Sequence, residues 1–223
     1  MKKTFILLLV SLFISITAFS LLAISVKNGN AVHFNTETYN GIAKIINPAL
    51  TNFLIVITTM GEWFIYVPIA LLFLIIPRSR VKIGIPATIV LFVAGTLNSL
   101  LKDWFSVPRP NIHRLITETG FGFPSGHAMI GTAFIGICAY LFLPYAHKTP
   151  LKITIITIST IFMLFVGFSR IYLGVHNTTD VLGGYCAGFI ILIIAILIIE
   201  IYRDKKEIKI VNYKKLPKKV AFS

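Results

Sequence analysis

Six stretches of this chain are so uniformly apolar that an aqueous fold has little use for them. They cover residues 4–26, 53–76, 83–101, 128–143, 153–168 and 181–201. A hydrocarbon core about 30 Å thick is crossed by roughly 20 apolar helical residues. Inside it every backbone polar group must be satisfied within the segment, which leaves helices as the choice for runs of this kind. None shows the polar face that marks a helix on the surface of a soluble bundle. Charged residues are expected only near the edges of the runs, Glu62 and Glu200 among them. The fold class that follows is all-α: a polytopic membrane helix bundle with six transmembrane helices. One membrane-embedded domain is expected over residues 1–202, with a basic tail over 203–223. The first run exceeds the apolar region of a signal peptide and is expected to remain as a helix. Residues 38–47 carry a weak interfacial-helix pattern, with Ile42, Ile45 and Ile46 on one side and Pro48 ending it.

Charge fixes the orientation. The net charge is +13, yet the charged share is only 13%, and the basic residues sit beside apolar runs rather than in a soluble domain with interleaved aromatics. Nucleic acid is therefore excluded as a partner. With the N-terminus inside, fifteen of the 21 Lys and Arg fall on the inner side and six on the outer. Such a bias places both termini in the cytoplasm of a multi-pass plasma-membrane protein. Segments 27–52, 102–127 and 169–180 then face outward. Cys138 and Cys186 lie inside apolar runs, without the spacing of a metal site or the setting of a disulfide.

The outward segments concentrate the chemistry. Lys102 is followed after six residues by Arg109 and Pro110; Pro124, Ser125, Gly126 and His127 stand at the entrance to the fourth run; Ser169, Arg170, His176 and Asp180 connect the fifth to the sixth. Lys102, Arg109 and Arg170 suit a tetrahedral oxyanion, the arginines bidentately and the lysine as a point charge. Ser125, Gly126 and the following backbone N–H groups open a helix, a ready anion site. His176 and Asp180 are spaced as one helical turn, so the carboxylate is expected to fix the imidazole tautomer and free the other nitrogen for attack. His127 is placed to protonate a leaving oxygen.

Together these positions resemble the signatures of the type 2 phosphatidic acid phosphatase family, and every fixed position is matched. The resemblance implies a phosphohistidine intermediate on His176, a general acid at His127, and no metal or other cofactor. The outward carboxylates Glu37, Asp103, Glu118 and Asp180 show no clustering of the kind a divalent cation uses. The implied partner is a lipid phosphate or pyrophosphate, among them undecaprenyl pyrophosphate, phosphatidylglycerol phosphate and phosphatidate; no motif speaks to oligomeric state. Candidate accessory residues are Glu62, to tune a histidine or bind a head group; Asn98, to orient Lys102 from one turn away; and His113 and Arg114, to meet a second phosphate or a glycerol head group. Two other readings are weighed. A vanadium-dependent haloperoxidase shares the phosphate-site residues, but its members are typically soluble. A transporter or non-catalytic lipid-binding protein is expected to carry polar residues deep within its helices rather than at one face.

Overall fold

The computed structural model describes residues 2–111 and 114–215, all in helices and their connections, with no strand among them. Helix α1 (Lys2–Lys27) leads through a turn to a short α2 (Val32–Ala43), then α3 (Pro48–Met60) and α4 (Trp63–Ile75). A single turn, α5 (Pro77–Ser79), and a π-helical stretch, Arg80–Gly84, feed α6 (Ile85–Phe105). After a long loop come α7 (Gly126–Phe142), α8 (Thr149–Tyr172) and α9 (Thr178–Lys215). Five of these helices are long and apolar enough to cross a membrane. Helices α3 and α4, bent by 42° at their junction, pass the same test only as a pair, which makes five or six spans among the described residues. Large apolar side chains face outward along them, Phe13 and Phe92 each more than two-thirds exposed, as a lipid solvent allows.

Helix α7 packs most extensively on α9, which α1 covers from its other side; α6 and α8 flank α7. Small residues permit the central approach. A Cβ on Gly184 would lie 2.6 Å from the carbonyl of Ser125, and one on Gly188 2.6 Å from that of Met129. Without a hydrophobic drive between helices in lipid, such close backbone packing is what holds spans together. It also fixes the start of α7 against the start of α9. Below it, Tyr66, Ala94, Met129, Phe134, Ile137 and Ile191 contribute to the main buried cluster.

The second run differs from its expected form. Instead of one span over 53–76, the helix starts earlier, at Pro48, with Asn47 accepting the Leu50 N–H at 3.0 Å. It then breaks at Gly61 and Glu62. Glu62 takes an extended backbone (φ −82°, ψ 151°), and a Cβ at Gly61 would lie 2.7 Å from Val166 Cγ1. Glu62 thus sits at an interruption inside the run, not at its edge. The short helix expected here forms over Val32–Ala43 rather than 38–47. Pro48 begins the next helix instead of ending this one, since a missing N–H costs nothing in a first turn. Ile42 and Ile46 pack inward as expected, but Ile45, beyond the helix end, is half exposed. The fifth span is longer than its apolar run, and α9 continues past residue 202 without a break.

Candidate active site

All three polar segments converge at one end of the bundle. Helix α8 ends at Tyr172, and Gly174, at φ +72°, turns the chain back. That left-handed geometry suits glycine, which has no Cβ to clash. The Val175 and His176 N–H groups then both donate to the carbonyl of Arg170, each at 3.2 Å. His176 is consequently in the loop, not on a helix as the four-residue spacing suggested. Its pairing with Asp180 arises from the start of α9. The Asp180 carboxylate reaches back to accept the Asn177 N–H at 2.8 Å through Oδ2, the backward half of a capping box. The same Oδ2 lies 3.4 Å from His176 Nδ1.

His176 Nε2 lies 3.1 Å from Arg109 Nη1. A guanidinium donates only, so Nε2 presents its lone pair and the Nδ1–H points to Asp180. Burial holds the His176 pKa well below the ordinary imidazole value of 6.5, followed by the charges of Arg109, Arg170, Lys102 and His127. His176 is therefore a neutral, oriented imidazole on the floor of the site.

The cations surround it. Arg170 is 1% exposed; its Nη1 donates to Thr58 Oγ1 at 2.8 Å and its Nη2 to Glu118 Oε1. Arg109 Nη2 pairs with Glu118 Oε2 at 3.6 Å, while its Nε donates to the carbonyls of Thr119 and Gly120 at 3.0 and 3.2 Å. Lys102 Nζ donates to the carbonyl of Phe121 at 2.7 Å. Arg170 Nε and Ser125 Oγ are buried donors with no hydrogen-bond partner among the described residues. Buried donors are costly unless something accepts from them, and a phosphoryl oxygen would.

Ser125 caps α7, its N–H donating to the carbonyl of Asp180 at 2.9 Å. The first N–H groups of a helix have no partner within it, so Gly126 and His127 add donors beside the orphaned hydroxyl. At the other side of the mouth, His127 Nε2 lies 3.1 Å from Glu62 Oε1. The carboxylate stands off the ring N–H axis, so Nε2 has no aligned hydrogen bond to it. A Cβ on Gly61 would lie 3.2 Å from the Thr58 carbonyl and 3.3 Å from His127 Cδ2. Thr58 also accepts from Arg170, so His127 borders the cluster that holds Arg170 and His176.

The accessory expectations divide. Glu62 meets a histidine, as one of its two expected uses required. Asn98 does not orient Lys102; its Nδ2 donates to the carbonyl of Pro124 at 3.3 Å, and Gly126 must lack a side chain to pass its Oδ1. It clamps the anion loop from α6. Arg114 turns back onto the carbonyl of Pro110, donating through Nε and Nη2 at 2.9 and 2.7 Å. His113 lies outside the described residues. Three contributors escaped the sequence reading. Thr58 steadies Arg170; Asn35 of α2 bonds twice to Thr179 beside Asp180, at 3.0 and 3.1 Å; and Glu118 joins the two arginines. For Glu118 a signal existed: it is one of only eight acids in the chain and stands in the loop between two basic motifs.

A membrane bundle that gathers two histidines and three cations at one mouth defines a class with known members. The chain belongs to the PAP2 superfamily, which it matches over residues 83–204. Its relatives include phosphatidylglycerophosphatase B of Bacillus subtilis, 39% identical over 109 residues, a match covering 46% of this chain and about half (53%) of that protein. The undecaprenyl-diphosphatase of Sulfolobus acidocaldarius is 28% identical over 84% of this chain and 88% of its own length. The crystal structure of the first transmembrane PAP2 type phosphatidylglycerolphosphate phosphatase from Bacillus subtilis superposes with a TM-score of 0.77 at 28% identity, covering 86% of this chain and 95% of that one.

Proposed function

We propose that this protein hydrolyses a terminal phosphate of a membrane lipid through a phosphohistidine on His176. The observation that carries the reading is the state of that ring: neutral, buried, fixed by Asp180 at one nitrogen and open to electrophiles at the other once Arg109 moves aside. Nε2 attacks phosphorus, the P–O bond to the lipid breaks, and the leaving oxygen takes a proton from His127. Water then attacks phosphorus with His127 accepting its proton, the P–N bond breaks with its electron pair returning to Nε2, and inorganic phosphate leaves. Lys102, Arg109, Arg170, Ser125 Oγ and the N-terminus of α7 stabilise the charge on the equatorial oxygens. No divalent cation is required, because these donors supply the positive charge directly.

The substrate class is a lipid phosphomonoester or pyrophosphate. The relatives named for phosphatidylglycerol phosphate and undecaprenyl diphosphate make those two the first to test, with phosphatidate beside them. The Lys and Arg bias supports a site on the extracytoplasmic face of the plasma membrane, with residues 203–223 as a cytoplasmic tail to the membrane domain. The deciding experiment is phosphate release from these lipids in micelles with EDTA present, for the wild type and for His176→Ala. Release by the wild type alone is expected. Turnover that survives in the folded variant sinks the mechanism, and activity lost to EDTA but restored by Mg²⁺ sinks the metal-free assignment.

A further inference from the structure

One short segment answers all three cations of the site. The Glu118 carboxylate meets Arg109 and Arg170, the carbonyls of Thr119 and Gly120 accept from Arg109 Nε, and that of Phe121 accepts from Lys102. Three of these four acceptors are neutral peptide oxygens; Glu118 alone brings a charge. It also stands on the way in. Its side chain is 24% exposed and that of Glu62 27%, against 1% or less for Arg170, His176 and Asp180. A phosphate held by both guanidiniums must take the place that the Glu118 carboxylate now occupies between them.

We infer that Glu118 determines specificity, acting as an internal anion that a doubly charged terminal phosphate displaces and a singly charged phosphodiester does not. The inference rests on the reading of this site as a phosphoryl site. A phosphomonoester carries roughly −1.5 to −2 charge at neutral pH and three free oxygens. It can satisfy both guanidiniums and the orphaned Arg170 Nε and Ser125 Oγ at once. A phosphodiester offers one charge and two free oxygens, no more than the carboxylate it must replace, and its second ester arm adds bulk. Exchange is then favourable for the first and unrewarded for the second. The distinction matters in a bilayer, whose own head groups are largely phosphodiesters and surround the mouth in great excess. Arg109 couples the exchange to catalysis, because the guanidinium held by Glu118 also covers the His176 lone pair.

The test uses the purified full chain in neutral-detergent micelles. It measures kcat and KM for phosphatidate and the competitive Ki of phosphatidylglycerol, a phosphodiester, for the wild type and Glu118→Gln. With the internal charge removed, the Ki of the diester is expected to fall about tenfold, the scale of one charged hydrogen bond. KM for phosphatidate is expected to fall by less, so the ratio of Ki to KM drops. Glu118→Asp, which keeps the charge but cannot span both guanidiniums, is expected to shift the ratio the same way by a smaller factor. It also serves if the Gln variant fails to fold. A ratio unchanged in every variant that folds overturns the inference, as does a rise in both constants, which marks Glu118 as a support for the arginines. If the wild type releases phosphate and the ratio holds, only this inference fails. A wild type inactive on every lipid phosphate overturns the proposed function, and this inference with it.

Discussion

The two histidines at the mouth of the bundle live in opposite surroundings. His176 is on the floor, almost fully buried, gripped by a main-chain bond to Arg170, with the Asp180 carboxyl at one nitrogen and a guanidinium at the other. His127 is on the rim, partly open, with one carboxylate from the break between α3 and α4. The floor is built from the turn between α8 and α9, tied by main-chain bonds to Arg170. The rim ring stands in the first turn of α7, which the Gly184 contact holds against α9, and its carboxylate partner comes from an interrupted span. A nucleophile needs a fixed lone pair, and the floor provides that. A proton donor must meet leaving groups of differing size and return the proton later, and a looser rim tolerates both.

The contrast breaks most sharply by deleting each ring. His176→Ala is expected to reduce kcat by at least roughly 10⁴-fold with any substrate, because no group remains to take the phosphoryl. His127→Ala is expected to lose about 10²–10⁴-fold on lipid substrates, the range of general acid catalysis. It should lose far less in kcat/KM on an aryl phosphate whose leaving group needs no proton, because that constant reports the phosphorylation step and not the later hydrolysis. Equal losses for both rings on the aryl substrate would erase the distinction between floor and rim. Steady-state kinetics on the two substrate classes reads this directly.

Asp180→Asn comes next. Its carboxylate both orients His176 and closes the capping box on Asn177, so two losses are expected together. The kcat falls roughly 10²–10⁴-fold, as when a triad carboxylate becomes an amide, and thermal stability falls by about 1 kcal/mol, the scale of a lost cap. Asparagine keeps an acceptor oxygen, so a variant that is inactive yet fully stable would show that the cap survives without the charge. On the rim, Glu62→Gln should cost no more than about tenfold in kcat, since it removes the charge of one partly exposed contact. The loss should shrink on the aryl phosphate, because Glu62 acts through His127.

Much of the floor was legible in the sequence, since each of its residues belongs to a segment whose spacing carries its own chemistry. The helical class was legible too, because unbroken apolarity leaves few alternatives. What stayed hidden depends on contacts between distant segments. An apolar window runs through Gly61 and Glu62 without a pause, so the break that delivers Glu62 to His127 shows only where Gly61 meets Val166. Asn98 stands one turn from Lys102, yet its side chain is claimed by the Pro124 carbonyl, a partner 26 positions away. The His176–Asp180 pair was foreseen for a reason that differs from the actual one: a helical turn was expected, and a capping box made the contact. Glu118 was visible as an acid among basic motifs, but the meeting of Arg109 and Arg170 around it depends on where α8 ends.

The smallest expected effect tests the floor through pH. The folded-state pKa of His176 lies below its ordinary value of 6.5, so between the two the unfolded chain binds a proton that the folded chain refuses. Protonation then favours unfolding. The stabilising contribution is present above the ordinary value and is lost as pH falls below it. The loss proceeds at no more than about 1.4 kcal/mol per pH unit for one proton, and it levels off below the folded-state pKa. The wild-type melting midpoint in detergent should therefore decline more steeply from pH 6.5 to 5 than that of His176→Asn, which has no proton to take up. The same lowering carries into catalysis: any acid limb of kcat/KM that belongs to the nucleophile lies below pH 6.5. Parallel melting profiles for the two proteins would mean that His176 is protonated in the folded state. In that case the neutral ring on the floor, on which the contrast with His127 stands, would have to be given up.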